Sequence, residues 1–144
     1  MYDRILLPTD GSEGTDRAVE EAIGLATETG AELHVLFVVD AESVPYAPEM
    51  TDERLEAQLR RIGEEAIESI RERAETEGLT IRGAIENGTP HREVLSYVDR
   101  EDVDLVVMGT HGRSGLDKYL LGSVTERVVR SADVPVLTVR VDDD

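Results

Sequence analysis

The spacing Gly109-x2-Gly112-x9-Gly122-Ser123 is the feature of this chain that speaks most directly of chemistry. It follows an apolar run of strand type, Leu105-Val106-Val107-Met108, and ends where a helical pattern opens at Ser123-Val124-Thr125-Glu126. Glycines at such a place let the backbone approach a ligand closely and take positive φ. Backbone N–H groups, hydroxyls and the positive end of a helix then face an anion, and the phosphates of a nucleotide suit that arrangement. Arg113 and Lys118, the only lysine of the chain, lie in the same loop. A polyphosphate on an acidic protein needs cations close by. His111 is the one histidine placed beside the loop.

Individual residues read two ways. Ser123 and Glu126 fit a capping box, in which they only satisfy orphan N–H groups, and they equally fit the opening of a phosphate site. Asp10, in Pro8-Thr9-Asp10-Gly11-Ser12, either closes an Asx-turn or accepts a hydrogen bond from an adenine amino group or a ribose hydroxyl. His34 reads as a packed strand residue and His91 as a solvated residue near a helix start. The histidines have no metal-ligand spacing, and no cysteine supports one. GxxxxGK[ST], a GxGxxG after a strand and a GxSxG elbow are all missing. The carboxylates show no catalytic pairing, so no catalytic residue is named.

The elements that must position these loops follow from periodicity. A short apolar run, Arg4 to Leu7, stops at Pro8. A helix is expected from about Thr15 to Thr29, with Ala18, Ala22, Leu25 and Ala26 on one face and Gly30 as its cap. Glu32 to Val39 is nearly continuous apolar sequence, which suits a strand covered on both faces. Asp40 to Thr51, with Pro45 and Pro48, reads as a loop. From Asp52 to about Glu77 an amphipathic helix places Leu55, Leu59, Ile62, Ala66, Ile70 and Ala74 on its apolar side, and Gly78 ends it. A third strand runs from Thr80 to Ile85. Thr89-Pro90 opens a helix to about Arg100 that buries Val94, Leu95 and Val98. Leu105 to Met108 is the fourth strand, Val124 to about Arg130 a further helix, and Val136 to Val141 the fifth strand. The tail 142–144 is expected to fray.

The order βαβαβαβαβ predicts one domain, residues 1–144, of class α/β: an open, mostly parallel sheet with helices on both faces. Ligands bind such sheets beyond the carboxyl ends of the strands, where strand order reverses. The loops after strands one and four share a crevice only if those strands are neighbours, and the order 3-2-1-4-5 makes them so.

Composition bounds the rest. The chain has 144 residues, 15 basic and 32 acidic side chains and a net charge of −17. Hydrophobic residues, at 40% and periodically placed, argue against acidic disorder. The charge points to a halophilic setting, where concentrated salt screens self-repulsion, with an ordinary acidic globule as the other reading. It argues against a nucleic-acid partner, which needs a basic face. No leader and no membrane-spanning run is visible, so a soluble, cytoplasmic protein without a membrane partner is expected.

Three segments resemble the universal stress protein (UspA-type) family. Ile5-Leu6-Leu7-Pro8-Thr9-Asp10-Gly11-Ser12 is similar to its opening strand and loop. Gly109-x2-Gly112-x9-Gly122-Ser123 is similar to the motif of its ATP-binding branch, and Ala132-Asp133-Val134-Pro135-Val136-Leu137-Thr138-Val139 to its closing strand. The resemblance covers essentially the whole chain. It implies a five-stranded parallel sheet of order 3-2-1-4-5, Rossmann-like and of the adenine nucleotide alpha hydrolase type. It implies ATP, with or without Mg2+, between the first and fourth strands. Pro8, Thr9, Asp10 and Val38 would border adenine. Met108, Gly109 and Gly112, with His111 and Arg113 nearby, would flank ribose and phosphates, and Gly122, Ser123, Val124 and Thr125 would hold the phosphates. A homodimer through the last strand, Val136 to Arg140, is also implied; an uncovered apolar edge favours the same pairing. The expected role is an ATP-binding stress-response or signalling module. The alternatives are a slow ATP hydrolase or phosphotransferase and a nucleotide-free dimeric interaction protein.

Overall fold

A computed structural model describes residues 2–12, 15–40, 52–110 and 123–140. Five strands, β1 (Arg4–Thr9), β2 (Glu32–Val39), β3 (Ile81–Asn87), β4 (Leu105–Gly109) and β5 (Val136–Val139), alternate with four helices. The helices are α1 (Asp16–Thr29), α2 (Asp52–Glu75), α3 (Pro90–Arg100) and α4 (Ser123–Ser131). The strands form one parallel sheet of order β3-β2-β1-β4-β5. The expected fold class and strand order are therefore found.

Strand alternation divides the core into two layers. Ile5, Leu7, Leu33, Val35, Phe37, Leu105 and Val107 pack under α1 and α2, against Ala18, Ala22, Leu59, Ile67 and Ile70. Leu6, Leu36, Val106 and Met108 pack under α3 and α4, against Val94, Tyr97, Val98 and Val128. The central strands thus need apolar residues at successive positions, which is why they read as unbroken runs. Each fully buried aliphatic side chain contributes roughly 1.5–3 kcal/mol.

Element edges differ from expectation for physical reasons. β1 continues through Pro8 to Thr9, with Pro8 registered opposite Leu36. The ladder from β1 to β4 is registered only at Ile5–Leu105 and Leu6–Val106, so a residue without an N–H is tolerated two positions further on. β3 lies one to two residues later than expected, at Ile81–Asn87. α2 ends at Glu75, and Gly78 bonds back to the Glu75 carbonyl. On α2 the buried face includes Ile67, while Ile62 is 39% exposed at the helix flank. On α3 the third buried side chain is Tyr97, and Leu95 is only half-buried. Gly30 caps α1 as expected, in the left-handed conformation (φ 75°) with its N–H on the Ala26 carbonyl. Thr89 precedes Pro90 as expected, but its side chain makes no capping hydrogen bond; its carbonyl accepts from Glu93 N–H. Of the expected loop only Asp40 is described, and Val141 and the tail 142–144 lie outside the described residues. No helix among the described residues is long and apolar enough to cross a membrane.

Candidate functional site

The sheet's strand order reverses between β1 and β4, where α1 covers one face and α3 and α4 the other. Beyond the Leu6–Val106 rung no further pair is registered between the two strands, and the carboxyl ends of strands at such a point are where sheets of this kind form a ligand crevice. Pro8 and Met108 are each two residues past that rung, so they stand level and on the α3–α4 face. Val38 is two residues past Leu36, the partner of Pro8, on the same face. Three of the expected site residues therefore form an apolar ledge across neighbouring strands. Pro8 and Val38 are half-buried, and Met108 is buried.

Asp10 follows β1 in a turn that is bonded to itself. Asp10 Oδ1 accepts from the Ser12 backbone N–H at 2.9 Å and from the Ser12 hydroxyl at 2.6 Å. Thr9 Oγ1 accepts from Gly11 N–H at 3.1 Å and lies 3.4 Å from Thr15 Oγ1. Thr15 Oγ1 donates to the Ser12 carbonyl at 2.9 Å. Gly11 carries the positive φ, 81°, that closes the turn. The Asx-turn reading of Asp10 is thus realised, and the turn presents its shape to the crevice.

The second wall is built by β4 and α4. Gly109 ends β4 and Ser123 begins α4. Thr125, in the first turn of α4, donates its hydroxyl to the Gly109 carbonyl at 2.9 Å. Thr110 N–H continues the ladder onto the Val139 carbonyl at 3.0 Å. Ser123 is exposed and Val124 half-buried against the α3–α4 core. The expected capping box is not what occupies Glu126: its carboxylate takes the Arg130 guanidinium, one turn on, at 2.6 Å. Glu126 therefore acts as half of a surface ion pair. His111, Gly112, Arg113, Lys118 and Gly122 lie outside the described residues.

Polar groups elsewhere have structural work. His34 is fully buried, as expected of a packed residue. Its Nε2–H donates to Glu32 Oε1 at 2.6 Å, and its Nδ1 shares a hydrogen bond with the Tyr97 hydroxyl, also at 2.6 Å. The hydrogen bond from His34 leads the causes that hold the Glu32 carboxyl below its usual range, with Arg82 adding to it. Burial pushes the Tyr97 hydroxyl up. Sequence reasoning missed Tyr97: its partner is 63 positions away, and no local pattern joins them. His91 is half-buried rather than solvated; desolvation, with Arg127 of α4 and Arg92, pushes its pKa down.

A groove of about 330 Å³ lies on the other face, between the start of α1 and α2, with Ser12, Thr15, Ile62, Ser69 and Arg73 among its walls. It shares Thr9 and the β1 turn with the crevice but none of Pro8, Val38 or Met108. Among the described residues no three histidine or carboxylate side chains gather as a metal site.

Comparison with known proteins adds an independent line. The model of the Universal stress protein family matches residues 1–140. Universal stress protein MJ0531 of Methanocaldococcus jannaschii is 38% identical over 141 residues, covering 97% of this chain and 83% of the relative. The solved structure of MJ0577, from the same organism, superposes with a TM-score of 0.85 at 33% identity, covering 100% of this chain and 99% of that one. A universal stress protein crystallised in complex with cAMP superposes with a TM-score of 0.76 at 26% identity, covering 98% and 99% of the two chains.

Proposed function

This chain belongs to the universal stress protein family, and on that premise we propose that it binds ATP in the crevice between β1 and β4, as a stress-response or signalling module. One observation carries the reading. The Gly109-x2-Gly112-x9-Gly122-Ser123 spacing falls on the junction that leaves β4 and enters α4 at the topological switch point. The ledge of Pro8, Val38 and Met108 offers an apolar seat for the purine, with Thr9 and the Asp10 turn at its border. Gly109, His111, Gly112 and Arg113 flank ribose and phosphates. Gly122, Ser123, Val124 and Thr125 hold the phosphates, chiefly through main-chain N–H groups at the start of α4. The relative bound to cAMP supports an adenine nucleotide as the ligand class. Any Mg2+ arrives with the triphosphate, and no side chain of this protein is assigned to it.

Two further parts of the proposal concern the surroundings. β5 is an edge strand with Leu137 exposed. A second copy pairing along Val136 to Arg140 covers that edge. The net charge of −17 fits a cytoplasm of concentrated salt. Sedimentation in rising potassium chloride checks both: dimer mass in molar salt is expected, and a monomer throughout contradicts the pairing.

The ATP site is tested by Gly122→Val. A β-branched side chain in the phosphate space is expected to lower ATP affinity by at least about 100-fold, or roughly 2.7 kcal/mol. The circular dichroism spectrum should stay that of the parent. In the parent, ATP at about one hundred times Kd should add roughly 2.7 kcal/mol of stability. A folded variant with parental affinity contradicts the site.

A further inference from the structure

We infer that Thr125 is a positioning residue whose hydroxyl clasps the two ends of the phosphate loop together and does not touch the nucleotide. The inference rests on the ATP reading above and deepens it. A threonine hydroxyl has one proton to donate, and ionised phosphate oxygens only accept. Thr125 Oγ1 gives that proton to the Gly109 carbonyl at 2.9 Å, and the residue is 8% exposed. Its side chain therefore has nothing to donate to a phosphate, and what Thr125 offers the ligand is its backbone N–H.

The geometry of the clasp explains its use. Gly109 is the last residue of β4, and Thr125 is the third residue of α4. The bond joins positions 16 apart in sequence, one at each end of the loop that carries the glycine motif. Thr110, the next residue, is held from the other side by the Val139 carbonyl of β5 at 3.0 Å. The strand end is thus fixed between α4 and β5. Thr125→Val exchanges hydroxyl for methyl at nearly constant volume, leaves the Gly109 carbonyl without its donor and lets the start of α4 drift from β4. A phosphate cradle is sensitive to such a drift, whereas a purine seated on Pro8, Val38 and Met108 is not.

The clasp is tested with Thr125→Val and Thr125→Ser, using ATP and adenosine as titrants and amide hydrogen exchange on the nucleotide-free protein. Thr125→Val is expected to bind ATP about tenfold more weakly, the effect of losing one buried hydrogen bond. Adenosine affinity should stay within about twofold, and the Thr110 amide should exchange about tenfold faster. Thr125→Ser, which keeps the hydroxyl, should restore all three. Parental ATP affinity in Thr125→Val overturns the clasp. An equal loss for ATP and adenosine overturns it too, since that marks a merely structural role. Unchanged exchange at Thr110 alongside weakened ATP binding overturns it in favour of a direct phosphate contact. A parent protein that binds neither titrant sinks the ATP reading and the clasp with it. A parent that binds both, with a Thr125→Val variant that matches it, overturns the clasp alone and leaves the ATP reading standing.

Discussion

The two loops that meet at the crevice are built on opposite principles. After β1, the polar side chains of Thr9, Asp10, Ser12 and Thr15 bond to one another and to their own backbone within seven residues. After β4, the bonds reach across the fold, from Thr125 of α4 back to Gly109 and from Thr110 to β5. The first loop is a turn braced by its own side chains and backbone. The second is held, at its described ends, by groups that belong to other elements. Recognition by main-chain donors needs such a held frame, because each N–H aims where the backbone aims. The difference separates stability from affinity: damage to the turn should be felt in unfolding, and damage to the junction in binding.

The sharpest break of that comparison on the turn side is Gly11→Ala. It forces a side chain into φ 81° and places its Cβ 3.1 Å from Ile62 Cγ2. A loss of about 1–2 kcal/mol in urea unfolding is expected, with ATP affinity within about twofold once the unfolded fraction is subtracted. A variant as stable as the parent would show that the turn is not strained closed. Thr15→Val is the milder test. It removes the hydroxyl that donates to the Ser12 carbonyl, at an expected loss of about 1 kcal/mol and again with little change in affinity. If Thr15→Val weakened ATP binding tenfold without loss of stability, the division between the loops would fall.

The smallest effect belongs to pH. His91, at the start of α3, faces Arg127 of α4, and its pKa in the folded protein lies below the unfolded value of 6.5. The unfolded chain then binds the proton more readily, so stability is complete above pH 6.5 and declines as pH falls through that value toward the folded pKa. His91→Gln should flatten this part of the stability profile. An unchanged slope in the variant would show that His91 does not set it. Because the residue is half-buried, the change stays small beside the two above.

Much of this was readable from the chain. β2 begins at Glu32 and ends at Val39 as expected, because a strand buried on both faces leaves an unmistakable run of apolar residues. The strand order followed from asking that two loops meet. What was not readable depends on contacts distant in sequence. Ile62 keeps the helical period of α2 yet lies at its exposed flank, because the axis of the helix over β2 and β3, not the period, decides which edge of the stripe is covered. Tyr97 reads as an ordinary helix residue until His34 is seen beneath it. Asp10 and Ser123 carried two readings each, since a turn or a cap uses the same atoms as a ligand site. The structure shows Asp10 in its turn and Glu126 turned away to Arg130, which leaves the start of α4 without the reciprocal box.

The central claim is that main-chain donors at the meeting of β1, β4 and α4 grip an adenine nucleotide. Titrating ATP into the nitrogen-15-labelled protein in molar potassium chloride, with every backbone amide followed, tests it most directly. Saturable shifts are expected, largest at Thr9, Asp10, Val38, Met108, Gly109 and Ser123 to Thr125, with Ser69 and Arg73 in the groove beside α2 unmoved. Shifts centred on that groove, or none at any ATP concentration, would contradict it.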